Sequence, residues 1–356
     1  MEYDTPAQRR LARQVSNEID EQLKRERTEQ LAIKGPKILL LGSADSGKTT
    51  VLKQIKILHG NGFPDKERQA FRRKILANII DSMRALVNAL SALGVPLGEP
   101  SNQQHIKKFQ QAAGAHNGEN LEEEVIGAIK ELWADRGIQH CYARSNEFFI
   151  QDTADYFLND IAKFTNPSFV PSDEDILHTR FRTSEISETC FNIDKLTYRI
   201  YDVGGQRSDR LFWAPYFEDQ VHAILFITSL AAYDQMLVED RTVNRMLDAL
   251  VLFETITNNP LLKKVSIMLF LNKMDLFERK LKYSPVKKFF PDYEGSNDLK
   301  SAGRYFKTKF HAQNKTPEKK IYTHFTTSTD TKHMKVIISA VRDIVTRLSL
   351  QASGYL

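Results

Sequence analysis

Four short stretches carry side chains whose types and spacing could act together on a phosphorylated ligand. In Gly42-Ser43-Ala44-Asp45-Ser46-Gly47-Lys48-Thr49, two glycines bound four residues and are followed by a lysine and a hydroxyl. That spacing lets backbone N–H groups curl round a phosphate, sends the lysine to the outer phosphates and offers the Thr49 hydroxyl to Mg²⁺. Asp202-Val203-Gly204-Gly205-Gln206 supplies a carboxylate able to hold Mg²⁺ through water. It also supplies a Gly205 N–H that can approach a γ-phosphate and a glutamine able to orient an attacking water. Taken alone, Asp-x-x-Gly also describes an ordinary tight turn. In Asn272-Lys273-Met274-Asp275, the Asp275 carboxylate suits the paired N1–H and N2–H₂ donors of guanine, which adenine does not present. Lys273 would lie along the base and Asn272 would tie this loop to the phosphate loop. Finally, Thr326-Thr327-Ser328-Thr329-Asp330-Thr331 offers the Ser328 N–H to guanine O6, and Thr329 or Asp330 would cap the helix that follows.

These stretches need elements to hold them. Ile38-Leu39-Leu40-Leu41 runs into the first loop and Val51, Ile55 and Leu58 continue helically from it, giving strand, loop, helix. Strands are also predicted at 186–192, 196–201, 223–228, 265–271 and 321–325, those at 223–228 and 265–271 as apolar runs buried on both faces. Helical patterns fall at 241–257, 298–310 and Thr331 to about Leu350. This alternation predicts an α/β fold, a mostly parallel six-stranded sheet with helices on both faces and ligand at the carboxyl ends of its strands. Residues 61–176 read differently, with Phe71, Ile75, Ile79, Met83, Leu86 and Leu90 marking one long helix and Val125, Ile129 and Leu132 another. We expect an all-helical insertion there, splitting a nucleotide-binding domain into 34–60 and 177–356. Before it, residues 7–33 carry Leu11, Val15, Ile19 and Leu23 at four-residue spacing, an amphipathic N-terminal helix over 1–33 that must lay its stripe on its own domain, a partner or a membrane surface.

Composition limits the alternatives. With 41% hydrophobic and 27% charged residues over 356 positions, the chain has the make-up of a globular protein of more than one domain. Fifty basic against 45 acidic residues leave only +5, with no aromatic-interleaved basic patch, so nucleic acid is not an expected partner. Cys141 and Cys190 are too few for a disulfide framework and suit a reducing compartment, each expected as a small buried residue. No signal-peptide or membrane-spanning run is visible, which points to the cytoplasm.

The four stretches, in this order, are the signature of a GTP-binding protein. Asp175-Ile176-Leu177-His178-Thr179-Arg180-Phe181-Arg182-Thr183, just after the insertion, narrows it. The sequence resembles the alpha subunits of heterotrimeric G proteins from about Leu31 to Leu356. That family is itself a standing example of the phosphoryl-transfer machinery the resemblance implies. By resemblance, Lys48 contacts the β- and γ-phosphates, Thr49 and Thr183 ligate Mg²⁺, and Asp202 does so through water. Arg180 stabilises charge on the transferring phosphoryl group and Gln206 positions water. Gly42, Ser46, Gly47, Thr50 and Gly205 belong to the phosphate cradle, and Asp152, Thr153 and Leu177 line the cleft. Asp45, where the family usually has glutamate, would pair with Arg180. Arg207, the helix following it to Phe217, and Trp213 form a second switch that meets a beta-gamma pair or an effector. Ser349–Leu356 matches the tail that faces a G protein-coupled receptor. Each of these surface features also has a plain reading as exposed helix or frayed tail.

Several positions depart from the family. Ala44 stands where a glycine is expected, its methyl directed at space shared by Gln206, Arg180 and the γ-phosphate, so slow hydrolysis is expected. Glu2 occupies the myristoylation position and no cysteine lies nearby, so no myristoylation is expected and membrane contact is peripheral, at the inner face of the plasma membrane through partners. Glu185 replaces a glycine, Met274 a lysine, Thr327 a cysteine and Ser328 an alanine, and Ser353 a cysteine of some relatives. Two other readings stay open at this point. One is a GTP-binding, hydrolysis-poor scaffold or beta-gamma competitor; the other is an ATPase or phosphotransferase, which Asp275 disfavours.

Overall fold

A computed structural model describes residues 35–113, 121–181, 183, 186–193, 196–218 and 221–352. The expected N-terminal helix, Glu2, Glu185 and positions 353–356 of the tail lie outside the described residues. The predicted strands appear as β1 (Lys37–Leu41), β2 (Ser187–Ile193), β3 (Leu196–Asp202), β4 (Ala223–Ser229), β5 (Ser266–Asn272) and β6 (Ile321–Phe325). Their order is β2-β3-β1-β4-β5-β6, parallel except for the β2–β3 pair. β1 therefore sits inside the sheet, Ile38 registering with Ile200 on one side and Ala223 on the other.

Period-two alternation assigns each side chain to a layer. Leu39, Leu41, Ile224, Phe226, Ile267, Leu269 and Leu271 enter one buried cluster, with Met246, Phe253, Phe306 and Phe310 from covering helices. Ile38, Leu40, Leu225, Ile227, Met268 and Phe270 enter the other, with Val51, Ile55, Met334 and Ile338. Burial on both faces explains why β4 and β5 read as unbroken apolar runs. Each such side chain contributes on the order of 1.5–3 kcal/mol.

The covering helices are α1 (Lys48–His59) after β1, α10 (Arg245–Thr257), α11 (Met274–Leu281), α12 (Leu299–Ala312) and α13 (Thr331–Ala352). Between α1 and β2 come α2 (Asp65–Leu93), α3 (Gln103–Ala113), α4 (Glu123–Ala134), α5 (Arg136–Ala143), α6 (Ala154–Leu158), α7 (Ile161–Thr165) and α8 (Asp173–His178). Ile75, Ile79, Met83 and Leu86 of α2 form the spine of a separate cluster closed by Phe109, Ile129, Leu132, Phe157 and Phe164. By length and composition α2 could cross a membrane, but its apolar stripe is consumed by this cluster. Helix α8 crosses the 176/177 boundary drawn from the sequence.

Four expectations are corrected. Cys190 is exposed, because β2 is the edge strand and turns that face outward; Cys141 alone is buried. The helix expected up to Phe217 is instead a 3₁₀ turn at Asp209–Phe212 and a short α9 (Pro215–Glu218). Trp213 is 2% exposed, its indole N–H donating to Gly204 O at 3.0 Å, whereas Leu211 and Phe212 beside it are 80% and 66% exposed. The 241–257 pattern becomes a helix only from Arg245, since Asn244 takes the N-cap and accepts from Met246 N and Leu247 N.

Candidate functional site

The end of β1 turns sharply to start α1. Gly47 lies at φ 102°, and a Cβ there would sit 2.3 Å from Asn272 Nδ2. Asp45 and Lys273 hold positive φ of 55° and 61° despite carrying side chains, a local cost that marks both loops as constrained. The turn leaves amides at the start of α1 facing a cavity of about 470 Å³. Lys48 Nζ reaches back over the loop, donating to Gly42 O and Ser43 O at 2.9 Å each. Burial lowers the Lys48 pKa to about 8, with Asp202 and Asp45 opposing. A Cβ on Gly205 would stand 2.3 Å from Lys48 Nζ and 2.8 Å from Gly42 O, so only glycine lets that segment approach the cradle.

A hard-cation donor set lies beside the lysine. Thr49 Oγ1 is 3.0 Å from Thr183 Oγ1 and donates to Asp202 Oδ2 at 3.0 Å. Asp202 Oδ1 is buried with no hydrogen-bond partner, as is Ser46 Oγ. Burial raises the Asp202 pKa against the pull of Lys48. No group of three His, Cys, Asp or Glu able to hold a metal occurs among the described residues. Two hydroxyls and one carboxylate fit Mg²⁺, which commonly takes its remaining ligands from water and substrate phosphates.

Arg180 arrives from the segment after α8. Its Nε donates to Asp45 Oδ1 at 2.8 Å, its guanidinium lies over the Phe149 ring at 4.9 Å, and its N–H donates to Asn78 Oδ1 at 2.8 Å. Burial pushes the Asp45 carboxyl up, but Arg245, Arg180 and Lys273 outweigh it and hold it below its usual value. Arg245 also donates to Ala44 O at 2.9 Å. Lys53, on α1, clamps the same incoming segment by donating to Ile176 O at 2.9 Å and Thr179 O at 2.6 Å. Gln206 lies at the cavity, its N–H donating to Asp209 Oδ2 at 3.0 Å.

At the far end, Asn272 Nδ2 donates to Ser46 O at 2.8 Å, the expected tie between loops. Its Oδ1 accepts from Thr326 Oγ1, Ser328 Oγ and Ser328 N at 2.9, 2.8 and 3.1 Å. The Ser328 amide expected to face a base is thus engaged by Asn272 in this structure. Lys273 Nζ reaches Asp152 Oδ2 at 2.5 Å. Burial opposes ionisation of Asp152, yet Lys273, Arg245 and Lys280 lower its pKa to about 2. Asp330 caps α13, accepting from His333 N at 3.0 Å.

The cavity brings together Asp45, Ser46, Gly47, Lys48, Thr49, Thr50, Asp152, Thr153, Leu177, Arg180, Thr183, Gly205, Gln206, Asn272, Lys273, Asp275 and Ser328. Gly42 and Asp202 stand just behind its wall, reached through Lys48 and Thr49. Phe149, Arg245, Lys53 and the Arg279–Asp155 pair at 2.9 Å join the site only through the fold. No local pattern marks them, since each acts on a segment distant in sequence.

Fold and site define the class: a P-loop nucleotide-binding protein, its loop, cation set and base-end loops all opening on one cavity. A model of the G-protein alpha subunit family matches residues 13–345. Proteins described as guanine nucleotide-binding protein subunit alpha from Sporothrix schenckii and Pyricularia oryzae are 44% and 43% identical over 339 residues, covering 95% of each chain. One from Cochliobolus heterostrophus is 42% identical over 342 residues, 96% of both chains. The chain belongs to the G-protein alpha subunit family.

Proposed function

We propose that this chain binds GTP with Mg²⁺, hydrolyses it to GDP and phosphate, and acts as the alpha subunit of a heterotrimeric G protein downstream of a G protein-coupled receptor. The observation that carries the reading is the meeting of Lys48, the Thr49–Thr183–Asp202 oxygens, Arg180, Gln206 and Asp275 around one cavity. Thr49 and Thr183 would hold Mg²⁺, with Asp202 acting through water, and the ion supplies charge neutralisation at the phosphates.

The chain's own groups do the rest. The amides at the start of α1 and Lys48 bind the phosphates, which replace the loop carbonyls now satisfying the lysine. Gln206 orients the attacking water and Arg180 stabilises charge that grows at the transition state. Asp275 accepts from guanine, while Asn272 fixes the loops around the base. The segments carrying Thr183 and Gly205 are ordered by the γ-phosphate and released on hydrolysis, which makes the cycle a switch. Exposed Leu211 and Phe212 beside Gly205 support a beta-gamma or effector surface there. The C-terminal tail is the receptor-facing segment, and membrane residence at the inner leaflet comes through partners. Family membership and the retention of Arg180 and Gln206 weigh against a hydrolysis-poor scaffold.

The test is equilibrium binding of labelled GTP in competition with ATP, followed by single-turnover hydrolysis with and without Mg²⁺ and with a beta-gamma pair. Equal competition by ATP, or turnover that ignores Mg²⁺ removal, overturns the proposal.

A further inference from the structure

A second hollow, of about 460 Å³, lies beside the segments that follow β5 and end β6. Its apolar lining is Met274 at the head of α11, Leu299 at the start of α12 and Phe325 at the end of β6. Lys300, Arg304 and Lys307 complete it, all exposed. They are spaced i, i+4, i+7, so they stand in a row of about 10 Å along one face of α12. None of the three has an ion-pair partner among the described residues. Asp298, the carboxylate at the head of α12, is taken up by Ser296 Oγ and by the amides of Lys300 and Ser301. Met274 departs from the lysine that the resemblance leads one to expect. With that lysine the floor would be cationic; with methionine it is an apolar socket beneath a basic rail.

The geometry points to a docking site for an acidic segment of a partner protein that carries one large apolar anchor. Charge complementarity selects this occupant. Three cations in a row of about 10 Å exceed what one phosphatidylserine headgroup or one small carboxylate neutralises, and they match carboxylates spaced along a peptide. The anchor enters the socket over Met274, Leu299 and Phe325, whose volume lies in the range of small-ligand pockets and is ample for one large side chain. Desolvated apolar contact at the centre with charges at the rim is the usual anatomy of such a site. The surface is separate from the nucleotide cavity but touches its frame, since Met274 N donates to Thr326 O at 3.2 Å.

The test uses the full chain loaded with GDP and a fluorescein-labelled acidic peptide of about twelve residues, glutamates around one central phenylalanine, read by anisotropy. Saturable binding is expected, weakening at least about tenfold when salt is raised severalfold, as screening of exposed charges requires. The Lys300→Glu/Arg304→Glu/Lys307→Glu chain and its milder glutamine counterpart should each lose about tenfold or more in affinity, and Met274→Lys several-fold, with the glutamine counterpart still binding labelled GDP normally. Equal binding of a phenylalanine-to-alanine peptide or of a lysine peptide overturns the proposal. So does undiminished binding by the glutamine chain, or binding only to phosphatidylserine vesicles and not to the peptide. GDP binding is measured separately, so failure here leaves the nucleotide reading untouched.

Discussion

Arg180 and Asp45 lie 135 positions apart in sequence and meet at 2.8 Å over the phosphate cradle. The contact holds the guanidinium at the cavity, with the Phe149 ring beneath it, in a pose from which it can turn to an incoming γ-phosphate. Because its charge is needed most when phosphoryl charge is redistributed, Arg180→Ala should slow single-turnover hydrolysis by about 10²–10³-fold. GTP affinity should move by less than about threefold, since ground-state binding rests on other groups. Loss of affinity equal to the loss of rate would show that Arg180 acts in binding instead.

Ala44 lines the same cavity and its carbonyl is held by Arg245 at 2.9 Å, so the methyl cannot swing away freely. Ala44→Gly should raise single-turnover hydrolysis more than about twofold, a barrier change above roughly 0.4 kcal/mol, while leaving GTP binding nearly unchanged. Rapid-quench measurement of phosphate release checks it, and a smaller change removes the case for crowding.

Asp275 faces the cavity beside Leu276 and Lys273. Its replacement by alanine removes the carboxylate proposed to match the guanine donors. The ratio of GTP to ATP affinity should fall by at least about 10², because a site built on paired hydrogen bonds discriminates strongly and one without them does not. Competition titration against a fluorescent guanine nucleotide gives the ratio directly.

Lys53 offers a pH test. Burial lowers its pKa to about 7, with Lys74 adding to the shift and Asp202 opposing it, from an ordinary 10.5. Below about pH 7 folded and unfolded chains both carry the proton, and the folded chain bears the full cost of the buried charge. Between pH 7 and 10.5 the unfolded chain holds more protons, so this residue's contribution to stability rises with pH. Denaturant unfolding from pH 7 to 9 should therefore show a less positive slope for Lys53→Met than for the parent chain. Coincident slopes would refute the assignment.

Much of this was legible in the sequence because the fold writes its layers into period-two strands and its loops into glycine spacing. Ile38–Leu41 and the runs at 223–228 and 265–271 were readable from residue type and place in the chain, while the Asp45–Arg180 pair was implied only by the family resemblance. Trp213 was not: its neighbourhood reads as a surface switch, and only the folded path carries its indole to Gly204. The exposure of Cys190 is not legible in the sequence, because it depends on the strand's place at the sheet edge, which composition does not encode. Arg245, Phe149 and Lys53 escaped notice because each is an ordinary residue of a helix or loop until tertiary geometry brings it to a carbonyl or a guanidinium.

The central place of β1 in the sheet has a consequence for how the chain is made. Thr49, just after β1, meets Asp202 across 153 intervening steps of sequence, and β1's neighbours β3 and β4 lie as far downstream. At roughly 5–20 residues per second of ribosomal synthesis, Lys37–Leu41 waits on the order of ten to thirty seconds before either flanking strand exists. The intervening helices can fold first, leaving a short, very apolar strand as the natural client of whatever chaperone attends the emerging polypeptide.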